Sequence, residues 1–230
     1  MSRRHYEINF YIKKENFNVL KFLEILNKIN ILDYDIFYKD YSLKYNKNIE
    51  FLKKEFKSKK VKSFIARINL KKKTELNVSV YEEKNMYNVH MYITAINLEM
   101  NVFKAKDTKE FSKWLIDLFE SLSSKLDCIY AYSDFEECMN NKKVILQKDD
   151  TYKIVEENKP YTFTPAIFNE ISYFSKEILD MNNNRELVLS KDLAGIFEFN
   201  NGLLVIDEKN KLKDNLIKEL KKRGKKEVKK

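Results

Sequence analysis

Glycine, proline and cysteine are nearly missing from this 230-residue chain, which holds three, two and two of them respectively. So few glycines leave no glycine-rich phosphate loop and no Gly/Ser linker, and two prolines make no proline-rich recognition tract. Cys128 and Cys138 cannot form a disulfide framework, which a chain of this length does not need. Acidic residues separate the two cysteines at a spacing that zinc sites do not use. The two histidines, His5 and His90, fall into no metal-ligand pattern. Cys128 lies in an apolar run and reads as a small core residue. The start, Ser2-Arg3-Arg4-His5, passes into alternating residues rather than the apolar stretch of a secretion signal. No run approaches the ~18 apolar residues of a membrane helix. The expectations are therefore no metal, no cofactor, no membrane and a cytoplasmic location.

What is abundant is bulk and charge. The chain is 43% hydrophobic, with 16 Phe and 14 Tyr, enough for a large core and against disorder of the whole. Tyr6, Ile8, Phe10 and Ile12 alternate as in a half-buried strand. Between Lys14 and Asn30, Val19, Phe22, Leu23, Leu26 and Ile29 share one helical face. Tyr34, Ile36 and Tyr38 suggest a second strand, and Ile49, Leu52 and Phe56 a short basic helix. Three β-rich stretches follow, at 62–70, 75–82 and 86–97. The clearest helix spans Asp107 to Leu126. Asp107 and Glu110 form a capping-box variant, and Phe111, Trp114, Leu115, Leu118, Phe119 and Leu122 make an apolar stripe. A strand over Cys128–Tyr132 comes next. Thr164 and Pro165 then suit the start of a helix carrying Ile167, Ile171, Phe174 and Ile178 to about Met181. Leu187 to Leu189 reads as a strand. Ile196–Phe199 and Leu203–Ile206 form a hairpin across Asn200-Asn201-Gly202. Leu212, Leu216 and Leu220 mark a last helix. The pattern predicts an α+β fold: a mostly antiparallel sheet with amphipathic helices packed on one side. Residues 1–217 are expected as a single domain and residues 218–230 as a flexible basic tail.

The net charge of +9 is unevenly placed. Residues 44–73 carry 12 basic and 2 acidic groups, residues 74–217 carry 17 and 25, and residues 218–230 carry 8 and 2. A basic segment and a basic end thus flank an acidic body, whereas a plain nucleic-acid binder has a basic body. Lys57, Lys59, Lys60, Lys62, Arg67, Lys71, Lys72 and Lys73 are the candidate partner-binding basic patch. Tyr38, Tyr41, Tyr45 and Phe64 lie near it, the ingredients of a single-strand nucleic-acid site.

Catalytic signatures are thin. Asp134, Glu136 and Glu137 are the densest acidic cluster and a second candidate contact surface. Paired carboxylates can hold a metal or move protons, but loop carboxylates more often serve solubility. Ser133 lacks the flanking glycines of a nucleophile elbow. His90 falls in the polar phase of its strand with no indicated nucleophile. The reading is a non-enzymatic protein-binding module. Its general look is similar to immunity and anti-defence proteins that block a nucleic-acid-processing enzyme by electrostatic and shape complementarity. The alternative is an RNA- or DNA-binding accessory protein using residues 53–73 and the basic end.

Overall fold

A computed structural model describes residues 5–29, 31–38, 43–46, 50, 54, 61–70, 73–82, 86–135, 142–146, 152–156, 170–181 and 184–228. In chain order the elements are β1 (His5–Lys13), α1 (Val19–Lys28), β2 (Ile31–Tyr38), β3 (Leu43–Asn46), β4 (Val61–Asn69), β5 (Lys73–Glu82) and β6 (Met86–Thr94). A short α2 (Ala95–Leu98) runs into a π-helical turn (Glu99–Phe103). Then come α3 (Thr108–Lys125), β7 (Cys128–Phe135), β8 (Lys142–Leu146), β9 (Tyr152–Glu156), β10 (Ile171–Ser175), α4 (Lys176–Leu179), α5 (Asn184–Leu189), β11 (Gly195–Phe199), β12 (Gly202–Ile206) and α6 (Lys213–Lys222). Ten strands form one sheet in the order β11-β12-β10-β7-β1-β6-β5-β4-β2-β3, and β8 pairs with β9 separately. Every neighbouring pair is antiparallel. The architecture is the expected α+β class, with helices packed against an antiparallel sheet.

The period-2 alternation sorts the side chains onto two faces. Across the sheet, Phe64, Val78, Met91, Ile8, Ser133, Ile171, Ile206 and Gly195 stand in one register row. This first face meets α1 through Phe22, Leu23, Ile25 and Leu26, α3 through its Phe111–Leu122 stripe, and α6 through Leu216 and Leu220. The stripe is buried as its spacing requires. Asp107, however, makes no side-chain cap to α3. Its backbone N–H instead closes the π-helical turn onto the Val102 carbonyl at 2.7 Å.

A second core cluster lies on the opposite face. It joins Tyr130, Tyr132, Phe174, Leu203, Val205 and Ile196 to Ile178 and Leu179 of α4 and Val188 of α5. The long helices thus occupy one face, and two short ones cover the β7–β10–β12 end of the other.

Three local expectations are corrected. Residues 171–175 are a strand, not the middle of a helix beginning at Thr164; residues 164–169 lie outside the described set. All five are buried, so both faces of β10 are filled and no alternation shows; the 3-and-4 spacing of Ile171, Phe174 and Ile178 is fortuitous. The helical turn starts only at Ser175, whose hydroxyl accepts from the Ile178 N–H at 3.5 Å. Leu187–Leu189 belong to α5 rather than to a strand. Three aliphatics are too short a run to show a period, and Asn184 fixes the helix start by donating its side-chain N–H to the Ile178 carbonyl at 2.7 Å. The stretch ending at Asn97 stops being a strand at Thr94. The basic helix expected around Ile49–Phe56 falls largely outside the described residues.

The basic end, expected as a frayed tail, is described as far as Val228. Helix α6 runs to Lys222, and the following residues fold back on the sheet. The Glu198 N–H donates to the Lys226 carbonyl at 2.9 Å, and the Val228 N–H to the Ile196 carbonyl at 2.8 Å. The cations of this end meet carboxylates from a distant segment, Asp117 and Glu120 of α3, as well as Glu219 and Glu227 of the end itself.

Candidate functional site

Among the described residues, the second face of the sheet is polar and aromatic where α4 and α5 do not cover it. Register places Ser63, Ser79, His90, Asn9, Tyr132 and Ser172 in one cross-strand row. Beside it run Ile65, Asn77, Tyr92, Glu7 and Asp134. On the other flank run Tyr81, Asn88, Tyr11, Tyr130 and Phe174. Burial grades along these rows. Tyr130, Tyr132 and Ser172 are buried, His90, Tyr92 and Ser79 are half-buried, and Tyr81 is 50% exposed.

These side chains hold one another. His90 Nε2 lies 3.1 Å from Glu7 Oε2. The His90 ring sits 5.8 Å from Tyr92 and 6.3 Å from Tyr81, and His5 meets Tyr92 edge-on at 4.8 Å. Cross-strand packing of this kind lowers the conformational freedom lost on binding, because the rotamers are already restrained.

Of the basic-patch candidates, Lys57, Lys59, Lys60, Lys71 and Lys72 lie outside the described residues, and Lys62 is placed only by its position in β4. Arg67 pairs with Glu75 across the β4–β5 ladder, Nε to Oε1 at 3.6 Å. Lys73 opens β5 and is exposed. Of the acidic cluster, Glu136 and Glu137 lie outside the described residues. Asp134 is not in a loop: β7 runs past it to Phe135, and it is buried beside Glu7 in the register. Among the described residues no group of three His, Cys, Asp or Glu side chains could hold a metal ion. Cys128 is a core residue. Burial pushes its thiol well above the usual range, and its one S–H faces the Tyr11 and Tyr130 carbonyls, with Sγ at 3.3 and 3.1 Å from their oxygens.

Sequence reasoning missed Glu170, because its neighbours come from distant segments. Burial, and next the Asp134 carboxylate, push its carboxyl up to about 8, with Lys211 opposing and Asp207 adding to the rise. Its backbone carbonyl accepts from Asn210 Nδ2 at 3.0 Å and the Asp207 N–H at 3.1 Å. The raised value has a definite consequence. Below pH ~4.3 this carboxyl is protonated folded or unfolded. Between there and pH 8 the folded state retains a proton that the unfolded state releases, so stability falls as pH rises. Glu170→Gln should therefore melt several degrees above the wild type at pH 8 and level with it at pH 4. Equal melting temperatures at both values would show that the carboxyl is solvated.

No helix among the described residues is long and apolar enough to cross a membrane. No family model matches the chain, and no curated protein matches it. Among solved structures it is similar to a Pseudomonas aeruginosa T6SS protein, with a TM-score of 0.47 and 8% sequence identity over 88% of this chain and 68% of that one. A likeness of that degree carries no functional argument.

Proposed function

We propose that the chain is a non-enzymatic protein-binding module that inhibits its partner in the manner of an immunity or anti-defence protein. One observation carries this reading: the part of the second sheet face that no described helix covers presents Tyr81, Tyr92, His90, Asn77 and Ser79 as a restrained polar-aromatic surface on rigid strands. Tyrosine gives large amphipathic contact area at low entropy cost, and Asn, Ser and His supply hydrogen bonds around it. Binding energy at protein interfaces concentrates in such aromatic anchors. The excess of carboxylates over residues 74–217 suits a partner with a basic, nucleic-acid-binding groove, since opposite charge speeds docking.

The test is capture from the native host with tagged protein, then titration of the purified partner against the wild type and against Tyr81→Ala combined with Ser79→Glu. The reading expects inhibition of the partner and at least ~10-fold weaker binding by the double variant, the effect of losing about 1.4 kcal/mol. RNA and heparin binding are measured alongside, with Lys218→Glu and Lys222→Glu as the basic-end variants. Removing everything beyond Lys218 would strip the ordered end of the fold and confuse the result. Salt-dependent RNA binding with no captured protein would favour the accessory-protein alternative.

A further inference from the structure

The turn after β6 turns two large apolar side chains into solvent. Ile96 is 75% exposed and Met100 is 46% exposed. They are four residues apart on consecutive helical turns, the spacing that brings side chains together. Their counterparts Leu98 and Val102 point the other way and are buried in the main core. The turn is held rigidly. The Lys104 N–H donates to the Glu99 carbonyl at 2.8 Å in the five-residue step of a π-helix. Asn101 Nδ2 donates to the Lys73 carbonyl at 3.2 Å, tying the turn to the start of β5. Scattered apolar side chains on a surface are ordinary. Two together on a pinned π-helical turn, an irregularity concentrated at functional sites, are a patch.

The surroundings define what fits there. Lys104 Nζ approaches Met100 Sδ at 3.7 Å, and Lys73 and Lys106 are exposed nearby in the chain. Lys71 and Lys72 precede Lys73 in sequence. Glu99 is the carboxylate of the turn itself. The turn also continues the second sheet face. Thr94 follows Tyr92 in the same alternation, and its Oγ1 accepts from the Asn97 N–H at 3.3 Å.

We propose that Ile96 and Met100 are the apolar anchor of the partner interface, entering a recess on a second surface of the same partner, apart from its basic groove, whose own rim is acidic and meets Lys73 and Lys104. This rests on the protein-binding reading and extends it to a location and a partner chemistry. Apolar anchors enclosed by a charged rim are the usual anatomy of an interface.

The test compares the wild type with Ile96→Asp/Met100→Asp and with the milder Ile96→Ala/Met100→Gln, both melted first to confirm folding. Each is titrated against the partner captured by the wild type. The expected result is at least ~30-fold weaker binding for the aspartate pair, as for loss of a hot spot. Lys73→Glu/Lys104→Glu should weaken binding several-fold at low salt and little at high salt, because the Debye length shrinks to ~3 Å at 1 M. Unchanged partner affinity in both apolar variants overturns the anchor while leaving the protein-binding reading intact. Failure of the wild type to capture any protein removes both. Vesicles of phosphatidylserine and phosphatidylcholine form a separate arm. Wild-type binding to them that the aspartate pair abolishes would assign the turn to a lipid surface and overturn the protein anchor.

Discussion

Gly202→Ala should be among the most destabilising single substitutions in the chain, lowering the melting temperature by about 8–16 °C. Gly202 begins β12 and pairs with Phe199 on one side and Ser175 on the other. A Cβ built there would stand 2.0 Å from the Phe174 carbonyl oxygen and 2.9 Å from both Phe174 C and Ser175 Cα. Those are backbone atoms of a central strand. Relieving the clash means separating β10 from β12 or tilting the hairpin, and the Lys176 N–H bond to the Asn201 carbonyl at 2.7 Å goes with it. Overpacking of a rigid site costs about 1–3 kcal/mol, and losing ladder bonds adds to that. At about 2–4 °C per kcal/mol for a chain of this size, a total of ~4 kcal/mol gives the stated drop. Gly195→Ala is the internal comparison. Its Cβ would meet the Phe197 ring edge at 2.7 Å, a side-chain atom rather than backbone, so the loss should be the smaller of the two. If Gly202→Ala melts within 2 °C of the wild type, the β10–β12 register is wrong.

The same glycine shows what the sequence could and could not reveal. An apolar run, Asn-Asn-Gly, and another apolar run identify the hairpin correctly. Yet pairing of Phe199 with Gly202 makes Asn200 and Asn201 the loop, and it is Asn200 that takes the left-handed conformation, φ 50°. Glycine is needed for close approach to β10, a strand whose apolar spacing reads as a helix. Where one face of an element is solvated, the pattern is legible: β5 and β6 alternate, and α1, α3 and α6 carry their stripes. Where both faces are covered, as in β10, the pattern vanishes and spacing misleads. The candidate surface was half legible. His90 was correctly placed away from Val89 and Met91, but Glu7, its partner 83 residues distant, is visible only through the register. Asp134 was expected in a loop because β7 continues beyond its aromatic core, and Glu170 gave no signal at all.

The ordered basic end makes the other large prediction. Arg223 Nη1 lies 2.7 Å from Asp117 Oδ1 and 3.0 Å from Glu120 Oε2, and its Nε lies 3.0 Å from Glu219 Oε1. Lys225 Nζ reaches Glu120 Oε1 at 2.6 Å and stands over the Phe199 ring at 5.0 Å. Only 19% of the Arg223 side chain is exposed, so these are not ordinary surface pairs, which contribute little. Burial opposes ionisation of Glu120, but Lys225 and then Arg223 outweigh it and hold its carboxyl below the usual range. Replacing Arg223 with Met leaves three carboxylates facing one another without their shared cation. A cost of about 2–3 kcal/mol follows, less than the 3–5 of a fully buried pair. Because Glu120 titrates below its unfolded value, its contribution is present above pH ~4.3 and is lost as pH falls through the lower folded value. The stability gap between wild type and Arg223→Met should therefore narrow in acid. The damage should also spread to a specific edge. Residues 226–228 close the outer side of β11, and Phe197 bridges Glu227. An uncovered edge strand is a template for pairing with another chain. Arg223→Met should thus speed hydrogen exchange at the Glu198 amide, which donates to Lys226, while the Val205 amide on the inner side of the hairpin stays protected. Equal protection of Glu198 in both proteins would mean that the backbone pairing alone holds the end in place and that the Arg223 cluster does not.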